Sequence, residues 1–453
     1  MEPFRYHIYI CTQKKPEGAP SCLNRGAQET LASLNHEISE SGLSGDVQVT
    51  TCGCIGICGK GPNMVVYPDG VWYTGLTPKR VSKIVKDHIG NNTPVEDFLS
   101  KDVEALKKEI LAHDQMVLTM KSIMEKAGVI PEELNQFMRG FMESRIVLTA
   151  IELDLFTAVG QGATSADVAK TLNTDPRATE ALLNALAAID VLDKNENSFK
   201  NIPLTARYLV KDSEQDSRIA AMHIVGLWHR WSTLTECLKK GTSVIVEKGK
   251  TRDQDETRAF IAAMHKNAVF RAEKTAEILD ISGINSMLDL GGGSGAYAIA
   301  FAKHKPDIKA TVFDLPEVIP LTKKYVSEEG LENKIDFIEG DMIKDAFGEG
   351  YDLVWISAIC HMFGPDENLK LFKKVYEALN PGGRIIIQDF ILNEEKTSPR
   401  FGAVFALNML VNTKAGSSYS KPEYIDWLSS TGFKDVDLMP LPGPTDLIIA
   451  RKT

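Results

Sequence analysis

The sequence predicts an α/β protein built from more than one domain, and three observations support this prediction. The chain has 453 residues, more than a single hydrophobic core usually organises. Strand and helix patterns alternate from Ile284 onward, as in a doubly wound sheet with helices on both faces. Residues 1–92 follow a different order, namely strand, helix, strand, hairpin and helix. We therefore expect two separate α/β parts with a helical region between them.

The composition is that of an ordinary folded protein and argues against several classes of partner. A hydrophobic content of 43% with 25% charged residues is typical of globular domains. The formal net charge of −10 argues against nucleic acid, because phosphate binding needs a concentrated basic surface. The sequence has no apolar run of the roughly 20 residues that span a bilayer, and its first residues lack the design of a signal peptide. We therefore expect a cytoplasmic protein without nucleic-acid or membrane partners.

The first predicted domain covers residues 1–92 and contains a small sheet. Asp69 and Gly70 form a pair that favours a tight hairpin turn. Thr77 and Pro78 open the last helix, because proline suits the first helical turn. The predicted elements are strands at 4–11 and 46–51, a hairpin of 63–68 and 71–76, and helices at 26–40 and 77–89.

Four cysteines, Cys11, Cys22, Cys54 and Cys58, lie in the loops of this domain. In a reducing compartment such a cluster indicates metal binding rather than disulfides, and thiolates on loop tips can converge on one iron–sulfur cluster. A structural zinc is the alternative. Zinc sites usually show two closely spaced pairs, whereas ten residues separate the first pair here. Cys52 can replace Cys54 as a ligand, although the C-x3-C spacing favours Cys54.

The cysteine spacing and two neighbouring segments resemble one family. The segments are CGKGP at 58–62 and VYPDGVWY at 66–73, and with C-x10-C and C-x3-C they resemble the thioredoxin-like 2Fe–2S ferredoxins. The resemblance covers the whole domain. It implies a thioredoxin-like ferredoxin fold and a 2Fe–2S cluster held by the four cysteines. Because all four ligand positions are filled, we expect the cluster to be retained.

A linker and a helical domain follow in the sequence. Residues 93–130 are charged and predict a connecting helix with a narrow apolar stripe, and 131–245 predict a separate helical domain. Residues 137–156 are predicted to form one buried or subunit-facing helix. The apolar stripe of the linker consists of Val103, Leu106, Ile110 and Leu111. The other predicted elements of the helical domain are a capped helix from Thr164, a helix at 176–189 and a hairpin at 191–201.

These elements resemble a winged helix, which raises DNA binding as an alternative. The presumed recognition helix, residues 178–187, contains no lysine or arginine, although contact with phosphates needs basic side chains there. The segment instead resembles the dimerisation domain that precedes the catalytic domain of small-molecule O-methyltransferases. That resemblance implies a homodimer.

The last predicted domain, residues 246–453, has a glycine-rich turn between its first strand and helix. The stretch LDLGGGSG at 288–295 would let a ligand lie against bare backbone at a helix N-terminus, but nicotinamide-binding folds use such a turn as well. The G-x-G-x-G spacing and a terminal hairpin at 435–440 and 446–451 favour S-adenosylmethionine (SAM), as in the Rossmann-like class I methyltransferases. Asp314 ends the second strand, where it can bind both ribose hydroxyls. The predicted cofactor-binding residues are Asp289, Gly291, Gly293, Gly295, Asp314, Leu315, Asp341 and Met342.

The segment ICHMFGPDE at 359–367 resembles the catalytic segment of SAM-dependent O-methyltransferases of the hydroxyindole, caffeate and bacterial polyketide type. The resemblance implies that His361 is the general base that removes a proton from the acceptor hydroxyl. It also implies that Asp389 orients this histidine. The family often carries a second acid where this chain has AGSSYS at 415–420. We therefore expect either that His361 is held less firmly than in the family or that the acceptor does not need full deprotonation.

The predicted substrate-binding residues lie on helices that would cover the site. For each of them, packing in a hydrophobic core is the alternative interpretation. The residues are Trp228, Met264, His265 and Asn408.

The sequence thus predicts methyl transfer from SAM to a small aromatic or macrocyclic acceptor. A radical mechanism on SAM would need a C-x3-C-x2-C motif, which the sequence lacks. The 2Fe–2S domain would deliver electrons or gate the enzyme, with an electron donor protein as a possible partner. The alternatives are an iron–sulfur electron-transfer or interaction protein without methyltransferase activity, and reductive methylation of a corrinoid.

Overall fold

The computed structural model of the chain describes residues 3–15, 19–247 and 253–453. These residues form two compact units, Met1–Arg139 and Gly140–Thr453. The predicted linker therefore belongs to the first unit. None of the helices in the described ranges is long and apolar enough to cross a membrane.

The first unit contains a four-stranded mixed sheet with helices. Its strands are β1 (Tyr6–Cys11), β2 (Val47–Cys52), β3 (Met64–Tyr67) and β4 (Val71–Tyr73), and its helices are α1 (Ala27–Glu40), α2 (Pro78–Ile84) and α3 (Val103–Lys126). The strand order is β2-β1-β3-β4. β1 pairs with β2 in parallel, while β3 is antiparallel to both of its neighbours. The predicted helix at 77–89 continues beyond α2 as a wider π-type segment, Val85–Gly90.

The predicted apolar stripe of the linker is only partly buried. Leu106 is 4% exposed, but Val103 and Leu111 of the same helix are 66% and 58% exposed. α3 therefore packs on the rest of the first unit through a narrow line of contacts and leaves much of its apolar surface uncovered.

The second unit begins with helices and a three-stranded sheet. The helix α4 runs from Glu132 across the unit boundary to Glu152. The prediction of one helix at 137–156 is wrong, because Asp154 has a φ of 55° and interrupts the helix. Its carboxylate accepts hydrogen bonds from Thr157 and Arg218, which hold the break in place. The elements that follow are α5 (Leu155–Val159), β5 (Ala163–Thr164), α6 (Ser165–Leu172), α7 (Pro176–Ala188), β6 (Leu192–Asn195), β7 (Ser198–Asn201), α8 (Pro203–Tyr208), α9 (Arg218–Trp231), α10 (Leu234–Lys240), α11 (Val244–Glu247) and α12 (Gln254–Ile278).

The rest of the second unit is a seven-stranded sheet with helices on both faces. Its elements are β8 (Ser286–Leu290), α13 (Ala296–His304), β9 (Lys309–Asp314), α14 (Ile319–Glu328), β10 (Ile335–Glu339), β11 (Tyr351–Ser357), α15 (Pro365–Ala378), β12 (Leu379–Asp389), α16 (Arg400–Asn412), α17 (Lys421–Ser430), β13 (Lys434–Met439) and β14 (Asp446–Arg451). The strand order is β10-β9-β8-β11-β12-β14-β13. Only β14 runs antiparallel to the central strands, because it pairs antiparallel with β12.

This sheet brings the ends of several strands to one edge. β8 is parallel to β9 and β11, and β11 is parallel to β12. Two buried hydrophobic cores cover the two faces of the sheet and hold its strands in place. β10 is parallel to β9 as well. The residues that follow the five parallel strands β8 to β12 therefore meet at the carboxyl edge, where open α/β sheets bind ligands.

Candidate active site and iron–sulfur site

The glycine loop, residues 291–295, lies at this carboxyl edge between β8 and α13. Gly291, Gly293 and Gly295 have φ values of 74°, 57° and 76°, a left-handed backbone that glycine adopts without strain. A Cβ on Gly291 would lie 2.5 Å from Cδ1 of Ile359. The loop therefore packs directly against the segment that leads to His361, and its bare backbone suits the close approach of a cofactor.

Asp289 lies below the glycine loop and is 1% exposed. The amide of Ala298 donates a hydrogen bond of 3.2 Å to its carboxylate, so the residue connects β8 to the start of α13. A Cβ on Gly292 would lie 2.8 Å from the carboxyl carbon of Asp289. Burial raises the pKa of Asp289 to about 7, because its charged form loses contact with water.

We expect the variant Asp289→Asn to remove a pH dependence from the stability of the cofactor-free protein. Between pH 3.8 and about 7 the folded protein holds a proton that the unfolded chain releases, so stability falls as the pH rises through this window. The neutral amide avoids this loss, which amounts to about 4 kcal/mol at most. Melting temperatures at about pH 5 and about pH 8 should converge in the variant relative to the parent protein. Asp307→Asn, at an exposed position, is the control, and an equal change there would contradict the assignment.

Asp314 joins the glycine loop to β9. One of its carboxylate oxygens accepts a hydrogen bond of 2.7 Å from the Gly293 amide, and the other accepts one of 2.8 Å from the Leu315 amide. Burial raises the pKa of this carboxyl. A carboxylate offers about four lone-pair positions, so both oxygens can accept further hydrogen bonds from a diol. Leu315 is 42% exposed at the same edge.

Asp341 and Met342 follow β10 and differ in what they contact. The carboxylate of Asp341 accepts hydrogen bonds from the Ile343 amide at 2.9 Å and the Lys344 ammonium at 2.7 Å, and the bond to Lys344 lowers its pKa. Met342 borders the glycine loop, since its Cε lies 3.0 Å from the Cβ position of Gly291. The structure therefore places Met342 beside the loop, whereas the side chain of Asp341 bonds within its own turn.

His361 and Asp389 form a buried pair at the ends of the adjacent strands β11 and β12. Nδ1 of His361 lies 2.6 Å from Oδ1 of Asp389. The backbone amide of His361 also donates to Oδ2 at 3.2 Å. The two side chains are 7% and 2% exposed. Because a carboxylate accepts hydrogen bonds, Nδ1 carries the proton of the neutral imidazole and Nε2 is left as the basic nitrogen.

The turn that carries His361 is held by its backbone rather than by a second acid. The side-chain amide of Asn368 donates to the carbonyl oxygens of Cys360 and Phe363 at 3.0 and 3.2 Å. A Cβ on Gly416 would lie 2.3 Å from the carbonyl oxygen of His361. The segment 415–420, which lacks the family's acid, thus fixes the histidine turn by close packing. Asn368 and Gly416 were not identified as site residues from the sequence. Asn368 lies just beyond the segment 359–367, and the segment 415–420 was considered only for the acid that it lacks.

Three phenylalanine rings form an aromatic cluster beside His361. The Phe405 ring meets the imidazole edge-on at a centroid distance of 4.8 Å. Phe390 lies 4.4 Å from Phe405 and 5.0 Å from Phe401. Phe401 is 54% exposed, so the cluster reaches from the buried histidine to the surface of α16. Phe390 directly follows Asp389, which is the signal from which its position could have been predicted.

The predicted substrate-binding residues lie in different surroundings in the structure. Nδ1 of His265 lies 2.9 Å from Oγ of Ser294, and its ring stacks on Tyr325 at 3.9 Å. Burial lowers the pKa of His265. The residue therefore borders the glycine loop, while the preceding Met264 is half-buried on α12.

Asn408 and Trp228 lie on the helices α16 and α9. The oxygen of the Asn408 side chain accepts a hydrogen bond of 2.9 Å from the indole of Trp231. Asn408 is one turn beyond Phe405, so it lies on the helix that borders the histidine. The guanidinium of Arg145 lies 5.5 Å from the centre of the Trp228 ring. Trp228 therefore packs against α4 through this contact.

In the first unit, the four predicted metal ligands form two pairs. Sγ of Cys54 lies 3.1 Å from Sγ of Cys58. The Cys22 thiol lowers the pKa of Cys11 to about 6, and Cys11 in turn raises the pKa of Cys22. Cys11 is therefore the thiol of this pair that first forms the thiolate that binds metal. Two pairs of thiolates are the arrangement that a 2Fe–2S cluster needs, since four cysteines hold its two irons.

The surroundings of the cysteines also fit a cluster. The amide of Gly56 donates to Sγ of Cys54 at 3.4 Å, and a Cβ on Gly61 would lie 2.7 Å from Sγ of Cys22. Cys52 pairs in register with Cys11 across β1 and β2 and is half-buried beside it. This position leaves Cys54 as the partner of Cys58.

Comparisons with known proteins agree with these two sites. The thioredoxin-like [2Fe-2S] ferredoxin family matches residues 2–88, the O-methyltransferase dimerisation domain matches 135–211, and the O-methyltransferase domain matches 239–434. These matches confirm the predicted fold class and both predicted cofactors.

About 70% of this chain matches these relatives over nearly their whole length. The chain is 30% identical to acetylserotonin O-methyltransferase of Bos taurus over 339 residues, which are 70% of this chain and 97% of that protein. It is 29% identical to the tetracenomycin polyketide synthesis 8-O-methyl transferase TcmO of Streptomyces glaucescens over 331 residues, 71% of this chain and 97% of that one. The solved structure of PigF with SAH, a protein of Serratia, has a TM-score of 0.67 at 28% identity and covers 71% of this chain and 100% of its own. The chain belongs to the SAM-dependent O-methyltransferases, and it joins to that enzyme a thioredoxin-like ferredoxin domain with a 2Fe–2S cluster.

Proposed function

We propose that the protein transfers a methyl group from SAM to a hydroxyl of a small aromatic acceptor, with His361 as the general base and Asp389 as the residue that orients it. The observation that carries this proposal is the buried pair in which Nδ1 of His361 lies 2.6 Å from Asp389. The pair lies at the same sheet edge as the glycine loop, and Ile359 connects the two.

The geometry gives each residue of the pair a distinct part in the reaction. SAM supplies an electrophilic methyl group on its sulfonium. Nε2 of His361 accepts the proton of the acceptor hydroxyl as the oxygen forms its bond to the methyl carbon and the carbon–sulfur bond breaks. The carboxylate of Asp389 then stabilises the imidazolium that results. Proximity and alignment of the reacting atoms supply much of the remaining acceleration.

The aromatic cluster of Phe390, Phe401 and Phe405 supports an aromatic acceptor. Aromatic rings pack well on such a surface, and the cluster contacts the proposed base through Phe405. The names of the relatives point to acceptors of the same class, because acetylserotonin and the tetracenomycin polyketide are both aromatic. Asn408 and Met264, together with Trp228 and His265, remain proposed acceptor contacts, and the cofactor contacts proposed from the sequence are retained. Of the proposed cofactor contacts, Asp314 and Met342 have the strongest support, because both border the glycine loop.

The test is a product analysis with matched acceptors. Anaerobically purified protein is incubated with SAM and with an aromatic acceptor in its hydroxyl, amino and methyl-ether forms, and products are identified by mass spectrometry. We expect a methyl ether from the hydroxyl form only. Methylation of nitrogen or carbon would overturn the proposed chemistry. Bound SAM without any product across a series of hydroxy-indoles, hydroxy-naphthoates and larger polyphenols would favour the electron-transfer alternative.

The proposal also assigns a redox role to the cluster, because methyl transfer alone consumes no electrons. In one form of this role a separate electron donor protein supplies two electrons, which the cluster would pass one at a time to the acceptor, for instance a quinone. With two protons from water the quinone becomes a hydroquinone, whose hydroxyl is the nucleophile. In the other form the cluster gates the enzyme. Calorimetric titration with SAM, on oxidised and then on reduced protein, separates them: a change in affinity supports gating, and equal affinity supports reduction of the acceptor. Failure to bind SAM in either state would contradict the enzyme assignment.

The dimerisation domain supports a homodimer, and we propose that α4 contributes to its interface. Phe137 and Phe141 of this helix are 76% and 54% exposed in the single chain, and apolar surface of this kind marks association sites. The molar mass of the holoprotein in solution, measured by light scattering, distinguishes a dimer from a monomer.

A further inference from the structure

Two polar side chains adjoin the Cys54–Cys58 pair, and neither is a predicted ligand. Nε2 of His113 lies 3.9 Å from Sγ of Cys54 and 3.0 Å from Nζ of Lys15. Cys54, Cys58 and His113 bring their donor atoms within 4.8 Å of one another. Lys15 also lies close enough to the Cys54 and Cys58 thiols for its charge to interact with both of them.

His113 holds Lys15 in this position through its own hydrogen-bond pattern. Since the ammonium donates, Nε2 of His113 must accept, and the ring proton is then on Nδ1. Nδ1 lies 3.4 Å from the carboxylate of Asp114, which favours this tautomer. The imidazole is 17% exposed, so solvent reaches this contact only in part.

The residue comes from α3, which lies outside the matched ferredoxin domain of residues 2–88. This helix is fixed against the loop that carries Cys54 and Cys58. A Cβ on Gly56 would lie 3.2 Å from Ile110, and the Lys60 ammonium lies 2.5 Å from the Glu109 carboxylate. The contacts of the helix therefore bring His113 to the cysteines, 55 positions beyond Cys58 in the sequence.

We propose that Lys15, positioned by His113, is a cation beside the Cys54 and Cys58 thiolates and raises the reduction potential of the 2Fe–2S cluster. Reduction adds negative charge to the cluster and its thiolates. A cation near the sulfurs stabilises the reduced state more than the oxidised state, so the potential rises. Lys15 carries the charge that acts on the ligands, whereas His113 is a positioning residue that acts through Lys15. The helix α3, which carries His113, therefore contributes to the cluster site.

The test is the midpoint potential of the cluster in the full-length holoprotein, measured at one fixed pH by redox titration with optical and electron paramagnetic resonance detection. Lys15→Met is expected to shift the potential to a more negative value. His113→Leu is expected to shift it in the same direction by a smaller amount, and to add nothing when Lys15 is already methionine. Lys15→Arg keeps the charge and should recover most of the shift. Lys14→Met and His36→Leu are the matched controls, because both positions are exposed.

The outcomes decide the proposal as follows. Equal shifts in Lys15→Met and Lys14→Met would show a general effect of charge and overturn it. A changed resonance spectrum or a lost cluster in His113→Leu alone would identify His113 as an iron ligand and also overturn it. If Lys15→Met does not retain its cluster, judged by iron and sulfide content, the decision rests on His113→Leu and Lys15→Arg. In that case a His113→Leu potential equal to that of the parent protein would refute the proposal.

Discussion

Replacing His361 with alanine is expected to lower the rate of methyl transfer by about 10²–10⁴-fold, the usual contribution of a positioned general base. The acceptor hydroxyl would then have to lose its proton to solvent, from which the buried site largely separates it. Binding of SAM should change little, because the glycine loop and Asp314 remain in place. The measurement is the single-turnover rate with a hydroxy-aromatic acceptor, together with the dissociation constant of SAM from calorimetry.

Two further variants make this result specific to the base. His304→Ala alters an exposed histidine at the end of α13 and should keep the parent rate. Asp389→Asn retains the size of the side chain but presents an amide to Nδ1, so the proton would move to Nε2 and block its role as a base. A parent rate in His361→Ala would show that the acceptor needs no base at this position, for instance because it is bound as an anion. A lost affinity for SAM would instead assign His361 to cofactor binding.

The parts of the proposed site that the sequence predicts are those whose chemistry depends on short stretches of chain. The glycine loop and Asp314 each follow a predicted strand, and the sheet order then brings them to one edge. His361 lies within a nine-residue segment that resembles a catalytic segment, and the four cysteines lie at ligand spacing. In each case the local pattern and the fold lead to the same position, as expected of a consistent sequence.

The parts that sequence reasoning missed arise from contacts between distant residues. Lys15 and His113 meet although 98 positions separate them, and no periodicity marks either residue. Gly416 packs against the histidine turn so closely that a Cβ there would lie 2.3 Å from the carbonyl oxygen of His361. The sequence does not reveal this contact. The single helix predicted at 137–156 was wrong for a similar reason: apolar spacing continues through the segment, and Arg218, 64 positions away, helps to hold the break at Asp154. Helical periodicity shows which residues are apolar. It does not show where a contact with a distant residue ends a helix.

Replacing Cys58 with serine is expected to remove the 2Fe–2S cluster, with the visible absorption and the bound iron falling to background. Cys58 is buried, and its only close thiol partner among the described residues is Cys54. Loss of one of four ligands leaves an iron with an open position that a serine at this depth fills poorly. Affinity for SAM should remain, because the glycine loop belongs to the other unit. Methyl transfer should fall, since we assign the cluster a redox role in the reaction.

Cys52→Ser is the matched control, because Cys52 lies beside Cys11 and is not expected to bind iron. It should retain the cluster and the parent rate. A cluster that survives Cys58→Ser but not Cys52→Ser would show that the ligand set is wrong. Complete loss of the cluster with unchanged turnover would exclude both electron delivery and redox gating, and would leave the ferredoxin domain as a docking module. A fall in turnover that is restored when the acceptor is supplied already reduced would establish electron delivery, because the only step then bypassed is the one that consumes electrons.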